Sequence, residues 1–186
     1  MSARLRKHLE SLGACEPAIE WAEQHRALAA AWAACHRGDR MLWYAGRVSG
    51  PIGSPSRRKV VLVATECARL AWPYVRMCRA VVQRLYKTAE AYGRGDPTVS
   101  LQDVQDAADG VDAPTSNAAI CAAVYAATVA RAASAAIYTS AAASAASAAA
   151  HAAAAARAAG DDLLRQAADI VRRHYPRPPR RSRSHG

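Results

Sequence analysis

The chain has 186 residues, a length that suits one domain with one hydrophobic core. Its formal net charge of +10 is poorly suited to an acidic mimic of nucleic acid and favours acidic, neutral or phosphate-bearing partners. The five cysteines form an odd set without a C-x-x-C pair, so they indicate reduced, buried thiols in a cytoplasmic protein rather than a disulfide framework.

Helix breakers and apolar spacing predict an all-α fold, a single-domain bundle of about seven or eight helices. Glu16-Pro17 begins the second helix, because proline is tolerated at the first helical position. Leu28, Trp32 and Cys35 recur at the i, i+4 and i+7 spacing of one buried face in the third helix. The predicted helices begin near residues 3, 16, 27, 39, 57, 75 and 100, and an alanine-rich region follows.

Glycine and proline mark the predicted ends of these helices. Gly38 stops the third helix, and Asp39 then caps a short fourth one. The glycine and proline density from Gly46 to Pro55 indicates a surface loop, and the segment from Gly93 to Pro97 closes a later helix. The β-branched run from Val60 to Val63 has the character of a strand, but its continuation favours a helix.

The alanine-rich region from Asn117 to Ala159 contains neither glycine nor proline, and alanine is the best helix former. As one rod at about 1.5 Å per residue it would extend roughly 60 Å, beyond the ~40 Å width of a compact chain this size. We therefore expect a break near residues 139–144 and closely packed helices, which also offer a surface for a second copy of the chain. Scattered Ser, His and Arg weaken any drive to enter a bilayer, so no membrane span is predicted.

Composition divides the chain into a helical domain, residues 1–173, and a basic Pro/Arg-rich disordered tail, residues 174–186. The tail arginines and a basic run on the fifth helix are candidate phosphate contacts, because Lys and Arg bind phosphates through counterion release. These candidates are Arg57, Arg58, Lys59, Arg177, Arg180, Arg181 and Arg183. They support one interpretation, a small basic phage or prophage accessory protein that binds nucleic acid or a host factor; a solubilising tail is the alternative.

Several short motifs follow one another along most of the chain. They are Cys15-x-x-Ala18-x-x-Trp21, Ala31-Trp32-x-x-Cys35-x-Arg37-Gly38-Asp39 with Leu42-Trp43, Arg58-Lys59, Glu66-Cys67-Ala68-Arg69 before Pro73-Tyr74-Val75, Ala89-Glu90-Ala91-Tyr92, and Ala168-Asp169-Ile170-Val171-Arg172. In their order and spacing, these motifs resemble an immunity protein family associated with bacterial polymorphic toxin systems, a helical family also met in phage and prophage genomes. Two features depart from the family pattern: Arg40 stands where the family often has Trp, and residues 76–79 lack the expected acidic, proline-containing loop.

The resemblance implies that the protein binds a cognate toxin and blocks it, without performing any chemistry itself. Since this chain is basic, we expect the toxin to present an acidic or neutral surface. Among the motif residues, the predicted partner contacts are Arg37, Asp39, Trp43, Glu66 and Arg69. Glu66 and Arg69 lie three residues apart on one helical face, where an ion pair between them is the alternative.

The sequence shows no acid pair, nucleophile constellation or phosphate loop, so neither an enzyme nor a cofactor is predicted. Cys35 and His36 are adjacent and point about 100° apart on a helix, so they do not face one metal ion. His151, alone among alanines, is either a proton-transfer group or a solvated or core-satisfied histidine.

Overall fold

The computed structural model describes residues 3–51, 53–70, 72, 79–109 and 161–180, and in these ranges it contains eight α-helices and no strand. The predicted all-α fold is therefore confirmed. The helices are α1 Ala3–Ser11, α2 Glu16–Glu23, α3 Leu28–Ala34, α4 Gly38–Val48, α5 Pro55–Arg69, α6 Arg79–Arg94, α7 Leu101–Asp109 and α8 Asp161–His174. None of the helices in these ranges is both long and apolar enough to cross a membrane. The predictions for the alanine-rich region, its break near 139–144, His151, Arg181 and Arg183 lie outside the described residues.

Helix α5 occupies the centre of the bundle, because its apolar residues face two sides. Val63 and Cys67 belong to a large buried cluster that joins α5 to α1–α4 and α8. Val61 and Ala68 pack instead in two smaller clusters with α6 and α7. The valine run therefore lies in a helix, as its continuation in the sequence predicts, and Val60, Val61 and Val63 are at most 2% exposed.

Two glycines, Gly38 and Gly93, are points where helices approach closely. Gly38 is the first residue of α4, and a Cβ there would lie 2.5 Å from the Cβ of Ala167 in α8. Gly93 lies within α6, where a Cβ would come within 2.8 Å of Leu62. That helix ends just before Gly95, whose φ of +84° favours glycine. The prediction that Gly38 stops α3 was wrong, because the approach of α8, which the local sequence does not show, determines the role of this glycine. The prediction that the segment from Gly93 to Pro97 closes a helix is confirmed, since α6 ends at Arg94.

Helix α4 is longer than predicted, because it continues through Gly46 to Val48. A Cβ at Gly46 would meet no atom within 4 Å, so this glycine neither allows a close contact nor ends the helix. The loop that follows is correspondingly short and ends at Ser54. The hydroxyl of Ser54 accepts a hydrogen bond from the backbone N–H of Arg57 and so caps α5.

Helix α8 connects the C-terminal part of the described chain to the N-terminal core. The indole Nε1 of Trp32 donates a hydrogen bond to the backbone carbonyl of Tyr175 at 2.9 Å. Arg172 donates to the carbonyl oxygen of Cys35 at 2.6 Å, which gives a partner to a carbonyl at the end of α3. Packed structure thus extends past the predicted domain boundary at residue 173, through Tyr175.

Candidate functional site

The five predicted partner contacts lie in two separate places. Arg37, Asp39 and Trp43 lie at the start of α4, whereas Glu66 and Arg69 lie on α5. The segment that carries the first three forms one wall of an apolar pocket. Glu66 and Arg69 join α5 to neighbouring helices. The first group is therefore the one beside an opening that a partner can enter.

The apolar pocket has a volume of about 60 Å³ and lies between α2, α3 and α4. Three of the four tryptophans in the chain line it, together with Leu28 and Met41, and Arg40 lies in its wall. We name it the tryptophan pocket; its tryptophans are Trp21, Trp32 and Trp43. Each tryptophan comes from a different helix, so the pocket exists only in the folded chain.

Three polar side chains of the pocket lining have partners within the fold. The indole N–H of Trp32 donates to the Tyr175 carbonyl, and the hydroxyl of Tyr44 lies 3.1 Å from Nε2 of His8. The Sγ of Cys35 donates to the Arg37 carbonyl at 3.5 Å, and burial raises the pKa of the Cys35 thiol. The pocket therefore presents mainly carbon surface to anything that enters it.

Arg40 is the one charged side chain among the described residues that line the tryptophan pocket. It makes no hydrogen bond and no ion pair with any other described residue. Arg47 lies on the other side of Trp43, with its guanidinium carbon 5.7 Å from the centroid of the indole ring, in a cation–π contact. Because Arg40 precedes Trp43 by three residues and Arg47 follows it by four, all three share one face of α4.

Arg37 and Asp39 form a bidentate ion pair, with Nε to Oδ1 at 2.9 Å and Nη2 to Oδ2 at 2.7 Å. Sequence analysis predicted Asp39 as the cap of α4, but Asp39 lies in the first turn and the capping position is Arg37. An acidic residue in the first turn is favourable because the helix dipole is positive at that end. The pair holds the chain that leads into the pocket wall.

Glu66 and Arg69 do not pair with each other, although their spacing on one helical face allows it. Glu66 binds Arg173 at 3.0 Å and His174 at 2.5 Å, both at the end of α8. Arg69 binds Glu90 of α6 at 2.5 Å. Both residues of the predicted pair therefore connect α5 to other helices, and this accounts for them without a partner protein.

The predicted phosphate contacts on α5 differ in their availability. Arg57 is 6% exposed, and its guanidinium donates to the carbonyls of Gly46 at 2.9 Å and Gly50 at 3.2 Å. Arg57 is therefore not available to a phosphate, which corrects its prediction as a phosphate contact. Its guanidinium instead holds the loop before α5, and burial lowers its pKa. Arg58 donates to the Gly53 carbonyl at 2.9 Å, whereas Lys59 is exposed.

Lys59 lies beside the predicted tail. Its Nζ is 4.7 Å from the ring centroid of Tyr175, and burial raises the pKa of the Tyr175 hydroxyl to about 12. Arg177 follows Tyr175 by two residues and is exposed, as is Arg180. The contact with Tyr175 thus brings Lys59 of α5 next to the segment that carries Arg177 and Arg180, although the two are far apart in the sequence.

Sequence analysis missed the tryptophan pocket and the position of Arg40 in its wall. Trp32 was assigned to the buried face of the third helix and Trp21 was noted only in a motif, and neither assignment reveals that the two side chains meet. The available signal was Arg40 itself, a charged residue immediately before the apolar run from Met41 to Tyr44. A charged residue at the edge of such a run indicates either an ion pair or a site at the surface.

Within the described ranges, no three side chains of His, Cys, Asp or Glu are grouped as metal ligands would be. The comparisons with known proteins give no match: no protein-family model, no curated protein and no solved structure matches the chain. The functional interpretation of the site therefore uses its geometry and the sequence motifs.

Proposed function

We propose that this chain is a cytoplasmic, non-enzymatic immunity protein that binds a cognate bacterial toxin and neutralises it. The observation that carries the proposal is the position of Trp43. This motif residue lines an open apolar pocket with two further tryptophans, and Arg40 and Arg47 flank it. Tryptophan and arginine are enriched among the residues that dominate the free energy of protein–protein binding.

The groups beside the pocket suit binding better than chemistry. Asp39 is only 8% exposed in its side chain, and its carboxylate is held by Arg37. The thiol of Cys35 has a raised pKa because it is buried, and a thiol in that state is a poor nucleophile. Asp39 and Cys35 thus both have structural roles.

The charge at the pocket favours an acidic partner. Arg40 has no partner among the described residues, and the chain as a whole carries a formal net charge of +10. Complementary charge accelerates encounter and suppresses wrong partners. A toxin with an acidic or neutral contact surface therefore fits this site.

The test is capture of a partner from the native host at about 150 mM salt, where exposed charges are screened beyond ~8 Å, after nuclease treatment. The captured protein is then expressed alone and together with this chain. We expect growth to stop with the partner alone and to recover when the chain is present. Recovery should fail with Trp43→Ala, whose fold is checked by circular dichroism, and persist with Gln83→Ala, an exposed site on α6. A captured protein that does not affect growth would exclude the immunity function.

A second function is favoured by one observation, the contact of Lys59 with Tyr175, which brings a basic residue of α5 next to the segment carrying Arg177 and Arg180. In this alternative, the chain is a small basic accessory protein that binds nucleic acid through these groups. Binding to single-stranded DNA should then weaken steeply with salt. Ending the chain after Tyr175 and substituting Lys59→Gln should each weaken it, while Arg84→Gln on α6 should not.

A further inference from the structure

We infer that the tryptophan pocket receives one apolar side chain of a protein partner, and that Arg40 binds a carboxylate next to that side chain. This inference rests on the proposed function as a protein-binding protein and identifies the chemistry of the partner.

The volume of the pocket suits one side chain of a partner rather than a ligand of drug size. Its roughly 60 Å³ exceeds the ~15 Å³ that one water molecule requires. It is far below the ~300 Å³ at which pockets begin to enclose ligands of drug size. An apolar side chain that projects from a larger partner fits between these limits.

The residues that line the pocket favour an apolar side chain. Trp21, Leu28 and Met41 contribute carbon surface, and the polar atoms of Trp32 and Tyr44 are turned to partners elsewhere in the fold. A polar group that entered the pocket would lose its water against a lining of mainly carbon surface, which is unfavourable. An aliphatic side chain such as leucine has no such cost.

The guanidinium of Arg40, which has no partner among the described residues, favours a neighbouring carboxylate. Arg6, Arg37, Arg69 and Arg172 all bind carboxylates of this chain, at 2.5–2.7 Å for the closest contact of each. Arg40 makes no such contact among the described residues, although it lies in the pocket wall. A guanidinium binds a carboxylate through two parallel hydrogen bonds, which fixes orientation as well as charge. The partner segment therefore carries an acidic residue beside its apolar one.

The experiment titrates the full chain with three blocked tripeptides, Ala-Leu-Asp, Ala-Leu-Lys and Ala-Ala-Asp, and follows the indole N–H signals by nuclear magnetic resonance. We expect saturable shifts of Trp43 and Trp21 with Ala-Leu-Asp at a dissociation constant on the order of 1 mM. Ala-Leu-Lys should bind roughly fivefold more weakly, as expected for loss of a partly exposed ion pair. Ala-Ala-Asp should bind roughly tenfold more weakly, since the buried side chain is lost.

Two variants and a matched control localise the binding. Arg40→Glu should reverse the preference, so that Ala-Leu-Lys binds more tightly than Ala-Leu-Asp. Arg84→Glu makes the same change of charge on α6, outside the pocket, and should leave the preference unchanged. Ala18→Leu places a larger side chain in the pocket wall and should abolish the shifts caused by all three peptides. The comparison of the peptides on the unmodified chain stands even where a variant does not fold.

Several results would overturn the inference. Equal affinity for Ala-Leu-Asp and Ala-Leu-Lys would remove the role of Arg40, and absence of saturable shifts at roughly tenfold above the expected dissociation constant would remove the pocket. A dimer in sedimentation that Ala18→Leu converts to a monomer would show that a second copy occupies the site. If the chain neutralises the toxin but none of the peptides binds, the inference is refuted and the proposed function stands. If the peptides bind but no protein partner is captured, the proposed function is refuted and the inference stands.

Discussion

The contact of Gly38 with α8 predicts a large effect from the smallest side-chain substitution, Gly38→Ala. The new Cβ would lie 2.5 Å from the Cβ of Ala167 and 2.7 Å from the backbone nitrogen of Ala168, whereas ordinary contacts are 3.4–4 Å. Because the second atom belongs to the backbone, no side-chain rotation relieves the overlap. Helices α4 and α8 must therefore separate by about 1 Å along a buried interface.

We expect Gly38→Ala to lower the free energy of unfolding by about 3 kcal/mol, the upper end of the range for overpacked cores. For a chain of this length, that lowers the melting temperature by roughly 6–12 °C. Urea and thermal unfolding followed by circular dichroism measure both quantities. Adding Ala167→Gly removes the nearest opposing atom and should recover part of the loss, though not all, since backbone atoms remain close.

Gly46→Ala in the same helix is the matched control, because a Cβ there meets no atom within 4 Å. Replacing an open helical glycine by alanine stabilises by about 0.5–1 kcal/mol. The two substitutions are chemically identical and should thus have opposite signs. Equal effects of Gly38→Ala and Gly46→Ala would refute the reasoning, because they would show that the approach of α8 does not determine the cost.

Three further predictions concern the contacts of the terminal helices. Glu66→Gln should lower the free energy of unfolding in urea by about 1 kcal/mol at low salt, because Glu66 binds two residues of α8, whereas the exposed Glu20→Gln should have no effect. Ending the chain after residue 173 should destabilise it relative to ending after Tyr175, by about 2 kcal/mol, because the packing of that ring, its hydrogen bond from Trp32 and the contact of His174 with Glu66 are lost; equal stability would contradict the packing of Tyr175. Hydrogen bonds from Arg6 lower the pKa of Glu23 below its ordinary value of 4.5, so the pair stabilises the fold above that pH and loses this effect as the pH falls below it. Unfolding in urea at several acidic pH values should show this loss in the unmodified chain and a smaller one in Glu23→Gln.

The sequence was sufficient for the helical class and for most helix starts, because these depend on local chemistry. Glu16-Pro17 begins α2, as predicted, by the same rules that operate in isolated peptides. Helix α5 begins at Pro55, a residue that had been assigned to the preceding loop. The close approaches of neighbouring helices at Gly38 and Gly93 could not be predicted from the local sequence. A glycine that ends a helix and a glycine that lets a neighbouring helix approach look the same in the sequence. Tertiary packing decides between them.

The candidate site shows the same limit. Trp43 was identified from a motif, and the structure places it at a pocket. Arg57 was predicted as a phosphate contact because it belongs to a basic run, but the loop before α5 offers two carbonyls that hold its guanidinium inside. Glu66 and Arg69 had the correct spacing for a mutual ion pair, and stronger partners on other helices replaced it.

The packing of α8 against the N-terminal helices has a consequence for synthesis on the ribosome. The large buried cluster includes Ala168 and Val171 together with residues from α1 to α5, so it remains incomplete until residues 161–175 have left the exit tunnel. During that interval, apolar surfaces of the first five helices stay accessible to chaperones and to other nascent chains. Contacts of such long sequence separation also slow folding, because a long loop must close before they form. A stalled chain that ends before α8 should therefore be a chaperone substrate, whereas a chain released after Tyr175 should not.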